Sequence, residues 1–107
     1  MNSDALLVLT NLPDQNSANR IAERLISDRL AACVNLLAPC TSIYHWAGKV
    51  ESATEIPLLI KTTRERYAAV EQCILELHPY ELPEILHVPT IGGLPAYLQW
   101  IVQETAR

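Results

Sequence analysis

An α+β fold, two β-α-β halves joined by a hairpin and followed by one more helix, is what the chain predicts. Three observations carry it. Compact apolar runs alternate with stretches whose apolar residues recur at helical spacing, in the order β-α-β, β-α-β, α. The turn signals NLPD, AGK and IGG fall between those segments. With 107 residues and no linker or low-complexity stretch, the chain reads as one domain, 1–107. This order is that of the ferredoxin-like βαββαβ sandwich, with helices on one sheet face.

Each element has its own signal. ALLVLT (5–10) is a short apolar run closed by NLPD. From Ser17 to Leu30, Ala18, Ile21, Ala22, Leu25, Ile26 and Leu30 repeat as a helix does, with Asp14 or Asn16 placed to cap its start. AACVNLL (31–37) reads as a strand interrupted at Pro39 by a bulge or bend, and SIYHW (42–46) resumes it. AGK supplies the hairpin turn into a strand from about Ser52 to Thr62. Thr62-x-x-Glu65 has the form of a capping box, so the second helix is expected from there. Its stripe is Tyr67, Val70, Ile74 and Leu77, and it must stop at His78, because Pro79 disfavours helical geometry there. ILHV (85–88) is a short strand. Pro95 suits the first turn of the last helix, which holds Tyr97, Leu98, Ile101 and Val102.

Strand side chains alternate between two faces, so a sheet covered on one side should alternate apolar with polar. Here Leu6 and Val8 oppose Leu7 and Leu9, both pairs apolar. Ala32, Val34 and Leu36 oppose Cys33 and Leu37, and Ile56, Leu58 and Ile60 oppose Leu59. Two helices cover one face only, and the third is too short for the other. A homo-oligomer burying sheet against sheet is the preferred solution. The 50% hydrophobic content, high for so short a chain, points the same way.

The formal net charge of −4 comes without a basic stripe, which argues against nucleic acid as a main partner. No run is long enough to span a bilayer, and MNSDALLVLTNLPD lacks the pattern of a signal peptide. Cys33, Cys40 and Cys73 give an odd count with no C-x-x-C pair, so reduced, buried thiols in a cytoplasmic protein are expected.

The fold hosts many functions, so the site must decide. LLVLT and PLLIK carry no aromatics for stacking bases, and TNLPDQN has no cysteine pair for a metal chaperone. The first arginine, Arg20, lies too late for an acyl-phosphate loop, and three glycines make no phosphate-binding loop. Three places remain. Tyr44 and Trp46 share one strand face, with His45 on the other, as the wall of a cleft or a packing surface. Lys61, ending PLLIK, either reaches to water or offers a cation to an anionic ligand. HPYELPEI (78–85) is first a helix stop, and second a ligand corner. There His78 with Glu81 or Glu84 gives donors suited to zinc or copper, too few for a closed structural site.

LAACVNLL (30–37), SIYHWAGKVE (42–51), LLIKTT (58–63), HPYELPEI (78–85) and YLQWI (97–101) together resemble the CutA divalent-cation tolerance proteins. The resemblance covers nearly the whole chain. It implies a ferredoxin-like fold with an extra C-terminal helix, assembled into a homotrimer through long β-hairpins. It implies a role in tolerance of divalent metal ions, above all copper, and supplies no enzymatic activity, so the chain is read as a binding protein and not an enzyme. Trp46, Lys61, Tyr80 and Glu84 match the family and imply a cleft between subunits. The copper ligands proposed for the family are a cysteine ending the first strand and a histidine pair. Here those positions are Thr10 and Leu77-His78, so only His78 is left as a metal ligand, weak and completed by Glu81, Glu84 or a neighbouring subunit. The alternatives are a small-ligand signalling module similar to the trimeric PII proteins, holding an anion through Lys61, and a structural trimer that anchors a partner.

Overall fold

The computed structural model describes residues 3–107. Five strands and three helices follow the expected order: β1 (Ala5–Leu12), α1 (Gln15–Ser27), β2 (Cys33–Leu36), β3 (Cys40–Trp46), β4 (Lys49–Thr63), α2 (Tyr67–Leu77), β5 (Leu86–Pro89) and α3 (Pro95–Glu104). The sheet runs β2-β4-β1-β5, with β3 also paired to β4, and every pairing is antiparallel. Inserting β4 between β2 and β1, and β1 between β4 and β5, gives the split βαβ arrangement of a ferredoxin-like sandwich.

Local chemistry sets the boundaries. Asp14 is extended, and its carboxylate accepts the Ser17 N–H at 2.8 Å, so Asp14 and not Asn16 caps α1. The helix stops at Ser27, short of the expected Leu30. Arg29 turns left-handed at φ 55°, Leu30 N–H bonds back to Leu25 O at 2.9 Å, and Arg29 N–H bonds to Ile26 O at 3.1 Å. This is the Schellman closure, which satisfies carbonyls that the helix leaves unpaired.

The capping-box expectation at Thr62 fails. Thr62 lies inside β4, opposite Leu6, and its hydroxyl donates to Leu30 O at 2.6 Å. Helix α2 begins later, at Tyr67, without a side-chain cap. The ladder simply continues past the point where the local motif reads as a start.

Between β2 and β3, residues 37–39 face only residues 56 and 57 of β4, because Leu36 pairs with Leu58 and Cys40 with Glu55. That extra residue is the bulge expected at Pro39. Beyond it β3 and β4 form a long hairpin, closed by Ala47 (φ 51°) and Gly48 (φ 79°). Two successive left-handed residues match the twist of the flanking strands. The hairpin helps to stretch the molecule to 44 × 28 × 23 Å.

The core lies between the sheet and α1 with α2. Val8, Leu12, Leu58 and Ile60 meet Ile21, Leu25, Val70 and Ile74 there, all essentially without solvent contact. Each such side chain contributes roughly 1.5–3 kcal/mol. On the other sheet face Leu7, Leu9, Cys33 and Leu59 are only half buried. Helix α3 packs on β4 and β1 and buries Ile101.

Candidate functional site

Pro79 forces His78 out of the helix, and the structure gives that residue ψ 133° as the C-cap of α2. Its N–H still bonds to Ile74 O at 2.8 Å. The imidazole then folds inward and His78 is only 8% exposed, so the helix stop is also a buried pin. Nδ1 accepts the Tyr80 N–H at 3.1 Å, while Nε2 stands 2.7 Å from Asn11 O. An amide N–H only donates and a carbonyl only accepts. The ring is therefore the neutral Nε2–H tautomer, with both nitrogens occupied.

Two further bonds fasten the segment after His78. Tyr80 Oη donates to Glu55 Oε2 at 3.1 Å, and burial with this carboxylate pushes the phenol up to about 12. Asn11 Nδ2 donates to Glu84 Oε1 at 3.4 Å. The segment is thus tied to the end of β1 and to the hairpin strand β4.

Between it and the hairpin lies a cleft of about 600 Å³. Ser42, Tyr44 and Trp46 of β3, Glu51 and Glu55 of β4, Asn11, and Tyr80, Glu81, Leu82 and Glu84 line it. Among the described residues, four glutamates and no lysine, arginine or histidine face this space. Of the expected cleft residues, Trp46, Tyr80 and Glu84 come together within one chain. Lys61 does not. It lies further along β4, opposite Leu7 and Cys33, with Nζ 5.8 Å from the centre of the Tyr97 ring on α3. Glu51, Glu55 and Asn11 were missed from sequence. The signal existed for the glutamates, because the turn at 47–48 sets Glu51 opposite Tyr44, and Glu55 shares its strand face.

Donors for a metal are scattered. Among the described residues no three His, Cys, Asp or Glu side chains converge on one point. Thr10 is fully buried on the helix-covered face, and its hydroxyl has no hydrogen-bond partner among the described residues. His87 stacks on Tyr67 with ring centres 3.9 Å apart, and His45 is exposed on the hairpin. The residues of one chain do not fit a closed metal centre. The cysteines are free, but not uniformly buried as expected: Cys73 is buried, Cys33 half-buried and Cys40 exposed. Cys40 opens β3, which among the described residues pairs only with β4, and it is exposed. Burial pushes the Cys73 thiol up, which makes it unreactive.

The sequence pattern of the CutA1 divalent ion tolerance protein matches residues 6–104. The chain belongs to the CutA1 divalent ion tolerance family. The divalent-cation tolerance protein CutA of Citrobacter koseri is 38% identical over 92% of this chain and 85% of its own length. The crystal structure of CutA from Xylella fastidiosa is 44% identical and superposes with a TM-score of 0.95, covering 97% of this chain and all (100%) of that one. A CutA from Archaeoglobus fulgidus, named a periplasmic divalent cation tolerance protein, is 36% identical, with a TM-score of 0.92 over 95% of this chain and 99% of its own.

That last CutA overturns the cytoplasmic expectation. The expectation leaned on unpaired cysteines, and a thiol without a second cysteine beside it fits either compartment. No helix among the described residues is long and apolar enough to cross a membrane.

Proposed function

We propose that this CutA1 family member binds divalent cations, copper among them, in the acidic cleft of a homotrimer, and that its role in metal tolerance is one of binding and not of catalysis. The observation that carries the reading is the lining of the cleft, with Glu51, Glu55, Glu81 and Glu84 and no basic side chain among the described residues. A cation entering it meets attraction from every charged group. An anion meets repulsion from each of them, and Lys61, its expected partner, stands elsewhere under Tyr97. Within one chain the cleft therefore favours a cation over an anion.

Carboxylates are hard donors, so the binding is exchangeable and not the tight capture that thiolates give. A full shell needs water or a neighbouring copy, because one chain brings no three donors together among the described residues. A neighbour is supported by the apolar surface around the cleft and sheet edge. Ile91 is 85% exposed, Leu82 and Ile43 73%, and Val50 68%. An isolated chain leaves these in water, and packing against copies removes them.

Isothermal titration with Cu²⁺, Zn²⁺ and Mg²⁺ tests the reading. The expected result is a dissociation constant near micromolar for at least one ion, about −8 kcal/mol. Glu81→Gln with Glu84→Gln should weaken it by about tenfold. Sedimentation should return three times the chain mass. Silence in every titration up to roughly millimolar ion would sink the proposal.

A further inference from the structure

We propose that His78, the one position where the resemblance leaves a copper donor, is a positioning residue that holds the wall of the acidic cleft and donates to no metal. The inference rests on the cleft reading above and deepens it.

A metal needs a lone pair, and His78 has none to give. Its Nδ1 pair takes the Tyr80 N–H at 3.1 Å, and its Nε2 carries the proton shared with Asn11 O at 2.7 Å. Ligation through Nε2 requires the other tautomer. That sets Nδ1–H against the Tyr80 N–H and an Nε2 lone pair against the Asn11 carbonyl, two contacts between like ends. His78 is 8% exposed, so little water is at hand to take over either bond. Instead the imidazole spans two backbones, the end of β1 and the start of the 80–84 segment. Asn11 repeats the link with its side chain, which donates to Glu84. The position of Glu84 and Leu82 along the cleft thus depends on the His78–Asn11 pair.

Two substitutions separate the halves of this link without supplying an imidazole. His78→Asn places a side-chain oxygen where Nδ1 accepts the N–H two residues on, as an Asx turn does. His78→Gln places an amide N–H₂ near Nε2, facing Asn11 O. His78→Ala removes both. In copper and zinc titrations, Asn and Gln should stay within about threefold of the parent affinity, and Ala should fall by about tenfold. An equal loss in all three makes the ring a donor and overturns the proposal.

A second measurement needs no metal. Long-range ¹H–¹⁵N spectra of the parent protein should show His78 as the neutral Nε2–H tautomer, and Tyr80 N–H should be protected from exchange. His78→Asn should keep that protection and His78→Ala should lose it. A neutral Nδ1–H ring, or Tyr80 exchange that ignores all substitutions, overturns the proposal. If the parent binds no divalent ion, the cleft reading falls alone, and the tautomer and exchange data still decide the role of His78.

Discussion

The two faces of the sheet use the same strands and are closed to different degrees. Under α1 and α2, Val8, Leu58 and Ile60 lose essentially all contact with water. One residue along each strand, Leu7, Leu59 and Lys61 remain half open, although α3 crosses that side. The sequence places apolar residues at both phases of the two-residue period, so it asks for two roofs. The chain builds one whole roof and part of a second. A face that is apolar yet half covered is one from which further copies of the chain can still gain stability. On the other phase the hairpin runs out with Ile43 and Val50 exposed.

Truncating one leucine on each side separates the two faces. Leu58→Ala should cost about 2–5 kcal/mol in urea denaturation, because it empties a site that its neighbours cannot refill. Leu59→Ala should cost about 1–2 kcal/mol in dilute protein, where only half of the side chain leaves water on folding. It should also shift sedimentation toward smaller species, which Leu58→Ala should not do before the chain unfolds. Equal losses for the two variants in protein too dilute to associate would refute the contrast.

The elements were legible because periodicity is local, and their ends were less so because ends are decided by partners. Asn11 and Leu12 belong to a turn signal, yet they extend β1 because Pro57 and Ile56 stand opposite them. Leu30 fits the helical period, but Arg29 reverses the chain before it. Thr62 is a cap by its neighbours and a strand residue by its ladder. The site shows the same division. Trp46, Tyr80 and Glu84 came from the family resemblance as residues of a cleft between subunits, and within one chain they line a single cleft. Lys61 shares the strand face of Glu55 but lies six residues on, roughly 20 Å along the strand at about 3.3 Å per residue. Nothing near His78 announces that its imidazole meets the carbonyl of Asn11, 67 residues earlier in the chain.

Within the well-roofed face there is one flaw, and it allows a gain instead of a loss. Thr10 carries a buried hydroxyl with no partner among the described residues. Such a group forfeits its bonds to water and receives nothing in return, at a cost of about 1–3 kcal/mol. Thr10→Val keeps the shape and removes that cost. A rise in stability of about 1 kcal/mol, read from the urea midpoint, is expected. A loss of stability would mean that the hydroxyl is satisfied in solution and that the roof is less dry than Val8 and Ile60 beside it indicate.

On the open side the smallest effect sits at the Tyr80–Glu55 bond, the tie between the 78–85 segment and the hairpin. The phenol is raised from 10.0 to about 12, first by burial and then by the hydrogen bond to Glu55. Ionising it would bury a phenolate against a carboxylate, so the folded protein holds the proton longer than the unfolded chain does. The sign follows from linkage. The stability from the protonated phenol is fully present below pH about 10 and is lost as pH rises from there through about 12. Tyr80 is partly exposed, so solvent screens the bond, and Tyr80→Phe should cost only about 1 kcal/mol near neutral pH. Absorbance near 295 nm, followed against pH, should show one of the four tyrosines ionising late in the parent. In Tyr80→Phe that late step should vanish, and the decline in stability between pH about 10 and about 12 should flatten with it. If the late step survives the substitution, it belongs to another tyrosine. Tyr67, which burial also raises, is then the first to examine, and the tie across the cleft is looser than its 3.1 Å bond implies.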